Sequence, residues 1–209
     1  RVVTALGTKA DPEVDRIELD GKLLRFPQTQ LYLLLNKPRG YVTTASDPEG
    51  RPTIYALLKG VRQRVFPVGR LPYDAEGLLL LTSDGEFAAA ILRSGLPQTL
   101  WLKVKGRLVE DEQAKLARAA ARRREASFLW KCVKAGANPW YETRLATPRE
   151  DWLRDWLFRL GHPVERLRRV ALGSLSVSGL PVGAFRPLTE AERRRLLQET
   201  RALRKALAD

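Results

Sequence analysis

Short apolar runs separated by turn-forming residues dominate the pattern of the chain. Residues 31–35 and 77–82 are almost wholly apolar, which is typical of strands buried within a sheet. Residues 100–106 are predicted to form a third strand. The pattern predicts two more strands, at 128–133 and 141–146. Between the first two runs, the proline and glycine of Asn-Lys-Pro-Arg-Gly predict a turn.

Helical spacing and capping residues predict the helices. Residues 110–124 are rich in alanine, acidic at the start and rich in arginine at the end, a polarity that complements the helix dipole. Residues 147–150 form a capping box before an apolar helical face at 152–160, and residues 189–192 repeat that arrangement before a C-terminal helix. With a short helix at 86–93, the pattern predicts an α+β domain around a mixed, mainly antiparallel sheet flanked by helices.

The beginning of the chain predicts a separate, strand-rich piece. Residues 14–21 end in an alternating strand and an Asp-Gly turn, which predicts a hairpin, and a hinge follows around 26–29. We therefore expect two domains, at 1–26 and 30–209. Because the sequence contains no methionine, we also expect the native start to lie upstream of the first residue.

The chain is strongly basic, with a net charge of +13 and a pI of about 10.4. Such a charge favours a polyanionic partner, of which nucleic acid is the commonest. Arginine outnumbers lysine by 27 to 10, and the guanidinium group both stacks on bases and forks onto phosphates. A solvated surface of a heat-adapted protein is the alternative explanation of the same composition.

Composition also excludes several classes of protein. The single cysteine, Cys132, rules out an internal disulfide framework and fits a cytoplasmic protein. One histidine and one cysteine cannot form the usual zinc cluster, and the acidic pair Asp47 and Glu49 is more typical of a solvated loop than of a metal site. No apolar run reaches the roughly 18 residues of a membrane span. We expect a monomer that binds no metal and does not associate with a membrane.

Four sequence motifs follow one another along the main domain. Leu-Asn-Lys-Pro-Arg-Gly-Tyr-Val at 35–42 is followed by Val-Gly-Arg-Leu at 68–71, by Glu-Gly-Leu-Leu-Leu-Leu-Thr at 76–82 and by Gly-His-Pro-Val at 161–164. Their order and spacing resemble the pseudouridine synthases that modify ribosomal RNA, over about residues 30–190. The resemblance implies the fold of that family and a ribosomal RNA partner.

A second, shorter resemblance concerns the N-terminal piece. Residues 7–24 resemble the second half of an S4-type RNA-binding domain, whose helical first half would lie upstream. On this interpretation, residues 1–26 are the C-terminal part of an S4-like domain, and an ordinary β-hairpin is the alternative.

The family resemblance implies a specific chemistry. The N1–C1′ bond of a uridine is broken, the base turns, and C5 is joined to C1′. The resemblance implies one essential aspartate and neither a metal nor a cofactor. The target base must be flipped out of the RNA, stacked on an aromatic side chain, and held by basic groups on its phosphates.

The position of the family's catalytic aspartate, directly after Gly-Arg-Leu, is occupied by Pro72. Proline has no ionisable group, so it is neither a nucleophile nor a general base. Asp74 is the candidate substitute: in an extended segment it would share a face with position 72 but lie roughly 6–7 Å along the strand. Such a displacement is large compared with the precision that catalysis requires.

Two further motifs differ from the family's pattern. Leu100 occupies the position of the tyrosine that stacks on the target base, and the adjacent Trp101 is expected in the core. Arg149 and Arg154 keep basic positions of the third motif, and the resemblance implies that Arg149 holds the catalytic carboxylate in its ionised form. Acidic residues, Asp151 and Asp155, stand at two other positions where the family has basic side chains.

Other basic residues are candidates for contact with RNA. The resemblance and the charge together assign this role to Lys37, Arg39, Arg51 and Arg70. Three arginine clusters, at 122–124, 166–169 and 193–195, are either phosphate contacts or solvated faces.

The sequence therefore supports a ribosomal RNA pseudouridine synthase-like protein with impaired or no catalysis. The alternative is a non-catalytic RNA-binding or ribosome-assembly factor on the same fold. A natural loss of catalysis and an altered version of an active enzyme both fit the changed motifs, and the target uridine is not specified.

Overall fold

The computed structural model describes residues 17–23, 29–123, 125, 128–146 and 151–206. The chain divides into two compact units, residues 1–30 and 31–209. In the first unit, β1 (Glu18–Leu19) and β2 (Lys22–Leu23) form an antiparallel hairpin. Its turn places Asp20 and Gly21 at positive φ, 51° and 73°, a backbone conformation that aspartate and glycine tolerate. The predicted Asp-Gly turn is confirmed.

The second unit contains a nine-stranded sheet. Its strands are β3 (Tyr32–Lys37), β4 (Phe66–Pro67), β5 (Ala75–Thr82), β6 (Gln98–Val104), β7 (Leu129–Lys134), β8 (Trp140–Leu145), β9 (Val164–Leu172), β10 (Leu175–Ser176) and β11 (Phe185–Pro187). The main strand order is β11-β3-β5-β9-β6-β8-β7, with β4 beside β5 and β10 beside β9. All pairs are antiparallel except the parallel pair of β5 and β9. The predicted mixed, mainly antiparallel sheet is confirmed.

Four described helices flank this sheet: α1 (Gly85–Arg93), α2 (Glu110–Arg122), α3 (Asp151–Arg159) and α4 (Glu190–Ala206). A short 3-10 helix, Ile54–Leu57, lies in the loop after β3. In α1, the Asp84 carboxylate accepts a hydrogen bond of 2.9 Å from the backbone N–H of Phe87. The predicted capping box of α4 is confirmed, because Thr189 and Glu192 exchange backbone and side-chain hydrogen bonds of 2.8–3.1 Å. The box predicted at 147–150 lies outside the described residues.

Two apolar clusters lie on opposite faces of the sheet. On one face, Leu116 of α2 and Leu153 and Leu157 of α3 pack against strands β3, β5, β6, β8 and β9. On the other face, Ile91 of α1 and Leu196 of α4 pack in a cluster with residues of β3, β5 and β10 and with the end of β9. Strands β3 and β5 are therefore buried on both faces, which explains their almost continuous leucine runs.

One position joins the two halves of the sheet. Gly77 of β5 has φ +112°, and a Cβ atom at this position would overlap the backbone carbonyl of Arg169 in β9. Glycine is therefore required where these two parallel strands meet.

The sequence-based boundaries need three corrections. The first strand continues through Asn36 and Lys37, which were expected in a turn, because both residues still pair with β5. The strand expected at 100–106 begins at Gln98 and ends at Val104. Strand β9, near the middle of the sheet, and the short β10 and β11 were not predicted. Among the described residues, no helix is both long and apolar enough to cross a membrane.

Candidate active site

The candidate site is built around the turn that precedes β5. The backbone N–H of Ala75 donates a 3.1 Å hydrogen bond to the carbonyl of Pro72, which closes a turn over residues 72–75. The expected extended conformation is therefore wrong, because Pro72 initiates a turn and residues two apart in a turn do not share a strand face. A second bond, from Gly40 N–H to the Tyr73 carbonyl at 2.9 Å, ties this turn to the loop after β3.

Lys37 supports the turn from beneath. Its side chain is fully buried, and Nζ donates hydrogen bonds of 3.1, 2.9 and 2.8 Å to the carbonyls of Pro38, Pro72 and Ala75. These bonds use all three of the N–H groups that an ammonium carries. Burial lowers the pKa of Lys37 to about 8, against the opposing attraction of Asp74. The expected contact of Lys37 with RNA is corrected: the residue holds the turn and does not reach the surface.

Thr43 provides the second internal support of this loop. Its buried hydroxyl donates a 2.7 Å hydrogen bond to the carbonyl of Leu71 and receives a longer bond, 3.4 Å, from the N–H of the same residue. Leu71 itself is buried against the apolar cluster beneath the sheet. The segment that leads into position 72 is therefore fixed from both sides.

An arginine on α3 pairs with the carboxylate on the turn. Arg154 Nη1 and Nη2 lie 2.8 and 3.4 Å from Asp74 Oδ2 and Oδ1, which is a forked contact with both oxygens. Burial raises the pKa of Asp74, but the hydrogen bond and charge of Arg154, with a smaller contribution from Arg39, lower it by more than burial raises it. The pKa of Asp74 therefore lies below its ordinary value. Asp74 is thus an ionised, half-exposed carboxylate with a fixed partner.

The rim of the turn carries further basic and aromatic groups. The Arg51 guanidinium lies 5.7 Å from the centre of the Tyr73 ring, and Tyr73 is exposed. Arg51 also binds both oxygens of Asp47 and lies 3.2 Å from Glu49, so its charge is largely neutralised within its own loop. Arg39 is exposed beside this group.

A surface depression adjoins the segment before the turn. It is lined by Gly69 and Arg70, by apolar residues of α1, and by Gln98 and Arg169. Arg169 is buried, and its Nε donates a 2.7 Å hydrogen bond to the carbonyl of Leu78. Two guanidinium groups, one exposed and one buried, therefore face a partly apolar depression.

The structure brings some of the expected residues together and separates others. Pro72, Asp74, Arg39, Arg51 and Arg154 surround the turn. Leu100 is fully buried with Leu71 and Ala75 in the apolar cluster, so it presents no surface to a base in this structure, which corrects its expected role. Arg149 lies outside the described residues.

Other expectations also change. Trp101 is half-buried and binds Glu142 through its indole N–H at 2.8 Å, so it lies outside the two apolar clusters and not in the core. Of the arginine cluster in β9, Arg169 is a buried structural residue and not a phosphate contact. Sequence reasoning missed the support given by Thr43 and the exposed ring of Tyr73.

The remaining polar groups do not suggest a metal site. His162 has both ring nitrogens engaged, Nδ1 at 2.8 Å from the carbonyl of Lys105 and Nε2 at 3.1 Å from Glu112. No group of three or more histidine, cysteine or acidic side chains within the described part of the chain is arranged to hold a metal ion.

Comparison with known proteins places this site in a family. The profile described as RNA pseudouridylate synthase matches residues 31–155, which include β3, the turn and Arg154. The chain belongs to this family. An uncharacterized RNA pseudouridine synthase of Aquifex aeolicus is 38% identical over 198 residues, covering 91% of this chain and 79% of the relative.

Two further relatives agree with this assignment to the pseudouridine synthases. The ribosomal large subunit pseudouridine synthase B of Bacillus subtilis is 35% identical over 210 residues and covers 94% of this chain and 82% of the relative. The crystal structure of a pseudouridylate synthase superposes with a TM-score of 0.68 at 25% identity, over 93% of this chain and 85% of that one. The likeness to a solved structure therefore extends over almost the whole chain.

Proposed function

We propose that this member of the pseudouridine synthase family binds structured ribosomal RNA at the turn before β5 and isomerises uridine slowly or not at all. Ribosomal RNA is the proposed partner because the Bacillus subtilis relative carries that name and because this chain has a net charge of +13. Arg39 and Arg70 are exposed basic residues of the loops next to the turn and are proposed to bind phosphates, with Arg51 and Arg149 as further contacts.

The observation that carries the catalytic part of the proposal is the side chain at position 72. By resemblance this position holds the family's aspartate, and Pro72 offers only a pyrrolidine ring and a carbonyl that already accepts from Ala75 and Lys37. No proton can be taken up or released there near neutral pH. Cleavage of the N1–C1′ bond therefore lacks its acidic group.

Asp74 is the other carboxylate on the turn, and its geometry favours a second candidate, an enzyme that uses this residue. Its pKa is lowered and its arginine partner resembles the arrangement that the family is expected to provide. Against this candidate, both oxygens are directed at Arg154 and the residue follows position 72 within a turn. Replacement of Asp74 by asparagine distinguishes the two: activity that survives the change excludes Asp74 as the catalyst.

The organisation of the chain is part of the proposal. Residues 1–26 would be the C-terminal part of an S4-like RNA-binding domain, and residues 30–209 the pseudouridine synthase-like domain, acting as a monomer in the cytoplasm. No cofactor is proposed, because the expected reaction rearranges bonds within one nucleotide.

The test uses ribosomal RNA labelled with tritium at C5 of uridine. Formation of the C5–C1′ bond expels the C5 hydrogen, so turnover appears as tritium in solvent. We expect RNA binding that weakens as salt is raised, with little or no tritium release, while the Bacillus subtilis relative under the same conditions serves as the reference. Release comparable with the reference would reject impaired catalysis, and absence of RNA binding at modest salt would reject the whole proposal.

A further inference from the structure

One half of the sheet has a face that none of the described helices covers. Helices α2 and α3 pack on the opposite face, and α1 and α4 cover the part formed by β3, β5, β10 and Leu172 at the end of β9. Strand registers place three cross-strand rows on this face. The rows are Glu76–Arg168–Trp101–Glu142–Lys131, Arg166–Lys103–Trp140–Lys134 and Ala171–Thr99–Arg144–Leu129. We call this surface the open face.

The open face is rich in positive charge. It carries six basic side chains, Arg144, Arg166, Arg168, Lys103, Lys131 and Lys134, against the two carboxylates of its rows. Glu76 lies 3.6 Å from Arg166, and Glu165 lies 3.0 Å from Lys103. Among the described residues, Lys131 and Arg144 form no ion pair, and both are exposed. Unneutralised cations therefore remain near the far edge of the sheet.

Two tryptophans lie among these cations. Trp101 stands opposite Arg168 on one side and Glu142 on the other, and its indole N–H is held by Glu142 at 2.8 Å. Trp140 stands opposite Lys103 in the next row. Indole rings beside cations on a sheet surface suit bases and phosphates of a single strand.

A groove continues the open face towards α4. Thr99 and Arg144 of the third row share it with Arg195 and Leu203 of α4 and with Leu96. The groove combines apolar walls with the guanidinium groups of Arg144 and Arg195 and with the carboxylate of Glu199, which lies 3.6 Å from Arg195. Arg144 is therefore its unpaired cation among the described residues, and apolar walls beside such a group suit a nucleotide. At the other edge, Glu76 of the open face follows Asp74 by two residues, whereas Arg154, the partner of Asp74, lies on α3 on the opposite face. An RNA strand that leaves the candidate site would therefore reach the open face around this end of β5.

We propose that the open face binds a single-stranded segment of RNA that continues from the candidate site. This inference rests on the proposed function only in that the chain binds RNA, and it assigns a second surface for that binding. A protein partner fits less well, because the cores of protein interfaces are depleted of charged residues, whereas this face is dominated by them.

The test compares charge reversals on three surfaces of the full chain. The open-face variant is Lys131→Glu with Arg144→Glu. The matched control is Lys115→Glu with Arg118→Glu, two exposed positions on α2, which packs on the opposite face of the sheet. A third variant, Arg39→Glu with Arg70→Glu, affects the candidate site. The probe is a fluorescently labelled single-stranded RNA of about 20 nucleotides, alongside a duplex of the same sequence.

We expect the open-face variant to bind the single strand on the order of tenfold more weakly, with the control within about twofold of the parent. Loss of two phosphate contacts should also lower the slope of log K against log salt by about 1.4. Trp101→Ala should weaken single-strand binding by roughly tenfold and leave duplex binding unchanged, whereas Trp101→Phe should retain most of the affinity.

The outcomes separate this inference from the proposed function. If only the Arg39/Arg70 variant loses affinity while the open-face variant matches the control, the open face is not an RNA surface and the proposed function stands. If the parent binds neither probe, both are rejected. A dimer in sedimentation experiments that the open-face variant dissociates would overturn the inference in favour of a second copy of the chain.

Discussion

The two halves of the sheet differ in how many of their faces are buried. One half mainly stabilises the fold, and the other exposes polar side chains. In the half that contains β3 and β5, both faces are buried and the strands are rich in leucine. In the half that contains β6 to β9, one face is buried and the other carries charged and aromatic residues in alternation. The candidate site lies where the halves meet. The fully buried half holds the turn in place, and the half-buried one carries the open face that is proposed above to bind RNA.

The largest expected effect comes from removing a side chain of the doubly buried half. Leu79→Ala should lower the free energy of unfolding by about 4 kcal/mol, since Leu79 is fully buried and its loss leaves a cavity. Lys103→Ala, on the open face of the other half, should cost about 0.5 kcal/mol, because its ion pair with Glu165 is partly exposed. Denaturant titration of both variants measures the two losses in the free energy of unfolding. Losses of similar size would contradict this difference between the halves.

The contact between β5 and β9, which joins the two halves, should be the next most sensitive to substitution. Gly77→Ala should cost about 3 kcal/mol, because the added Cβ overlaps the Arg169 carbonyl and because φ there is +112°. Gly136→Ala is a suitable control: this glycine also has positive φ, at 151°, but has open space around it. If the two variants unfolded at the same denaturant concentration, backbone conformation alone, and not the close approach of β5 and β9, would explain the glycine.

Lys37→Met should lower the free energy of unfolding by about 2 kcal/mol at neutral pH, since it removes the donor of three hydrogen bonds to carbonyls near the turn.

The burial of Lys37 also predicts that the stability of the protein depends on pH. The pKa of Lys37 in the folded protein, about 8, lies below the ordinary value of 10.5, so between these values the unfolded chain binds more protons. Stability should therefore rise with pH across this window, by at most about 1.4 kcal/mol per unit.

The rise should be absent from Lys37→Met, so the difference between the two pH profiles isolates the contribution of this lysine. Parallel profiles of parent and variant between pH 8 and 10.5 would mean that Lys37 titrates at its ordinary value in the folded protein.

The smallest expected effect concerns the ion pair at the turn. A double-mutant cycle with Asp74→Asn and Arg154→Gln should give a coupling of about 0.5 kcal/mol, because both side chains are partly exposed. Since the pKa of Asp74 is lowered, the contribution is present above the ordinary carboxyl pKa and is lost as pH falls below it. A coupling that stayed constant down to strongly acidic pH would contradict an ionic origin.

Much of the fold was predictable because apolar runs mark buried strands. Strands β3 and β5 follow directly from their leucines, and α4 follows from the Thr189 and Glu192 capping box. Strand β9 was missed because Val-Glu-Arg-Leu-Arg-Arg-Val-Ala-Leu carries four charges, which on their own indicate a solvated segment. Its place in the sheet depends on long-range pairing with β5 and β6, which no local pattern encodes.

The candidate site was predictable in location but not in detail. The motif at 68–71 indicated the loop, and the structure places Asp74 and Arg154 beside it. Lys37 was expected to contact RNA because of the family resemblance and its charge. Lysine is rarely buried, and the burial of Lys37 depends on three carbonyls that come together only when the turn folds. Likewise, the pairing of Asp74 with Arg154 joins residues 80 positions apart in the sequence.

The central claim is that the scaffold of a pseudouridine synthase is intact here while position 72 lacks the acidic group. The most direct measurement is tritium release from C5-labelled ribosomal RNA by the parent chain and by Pro72→Asp, side by side and at equal RNA occupancy. The account predicts a flat time course for the parent and measurable release for Pro72→Asp. Release by the parent at a rate equal to or above that of Pro72→Asp would contradict it.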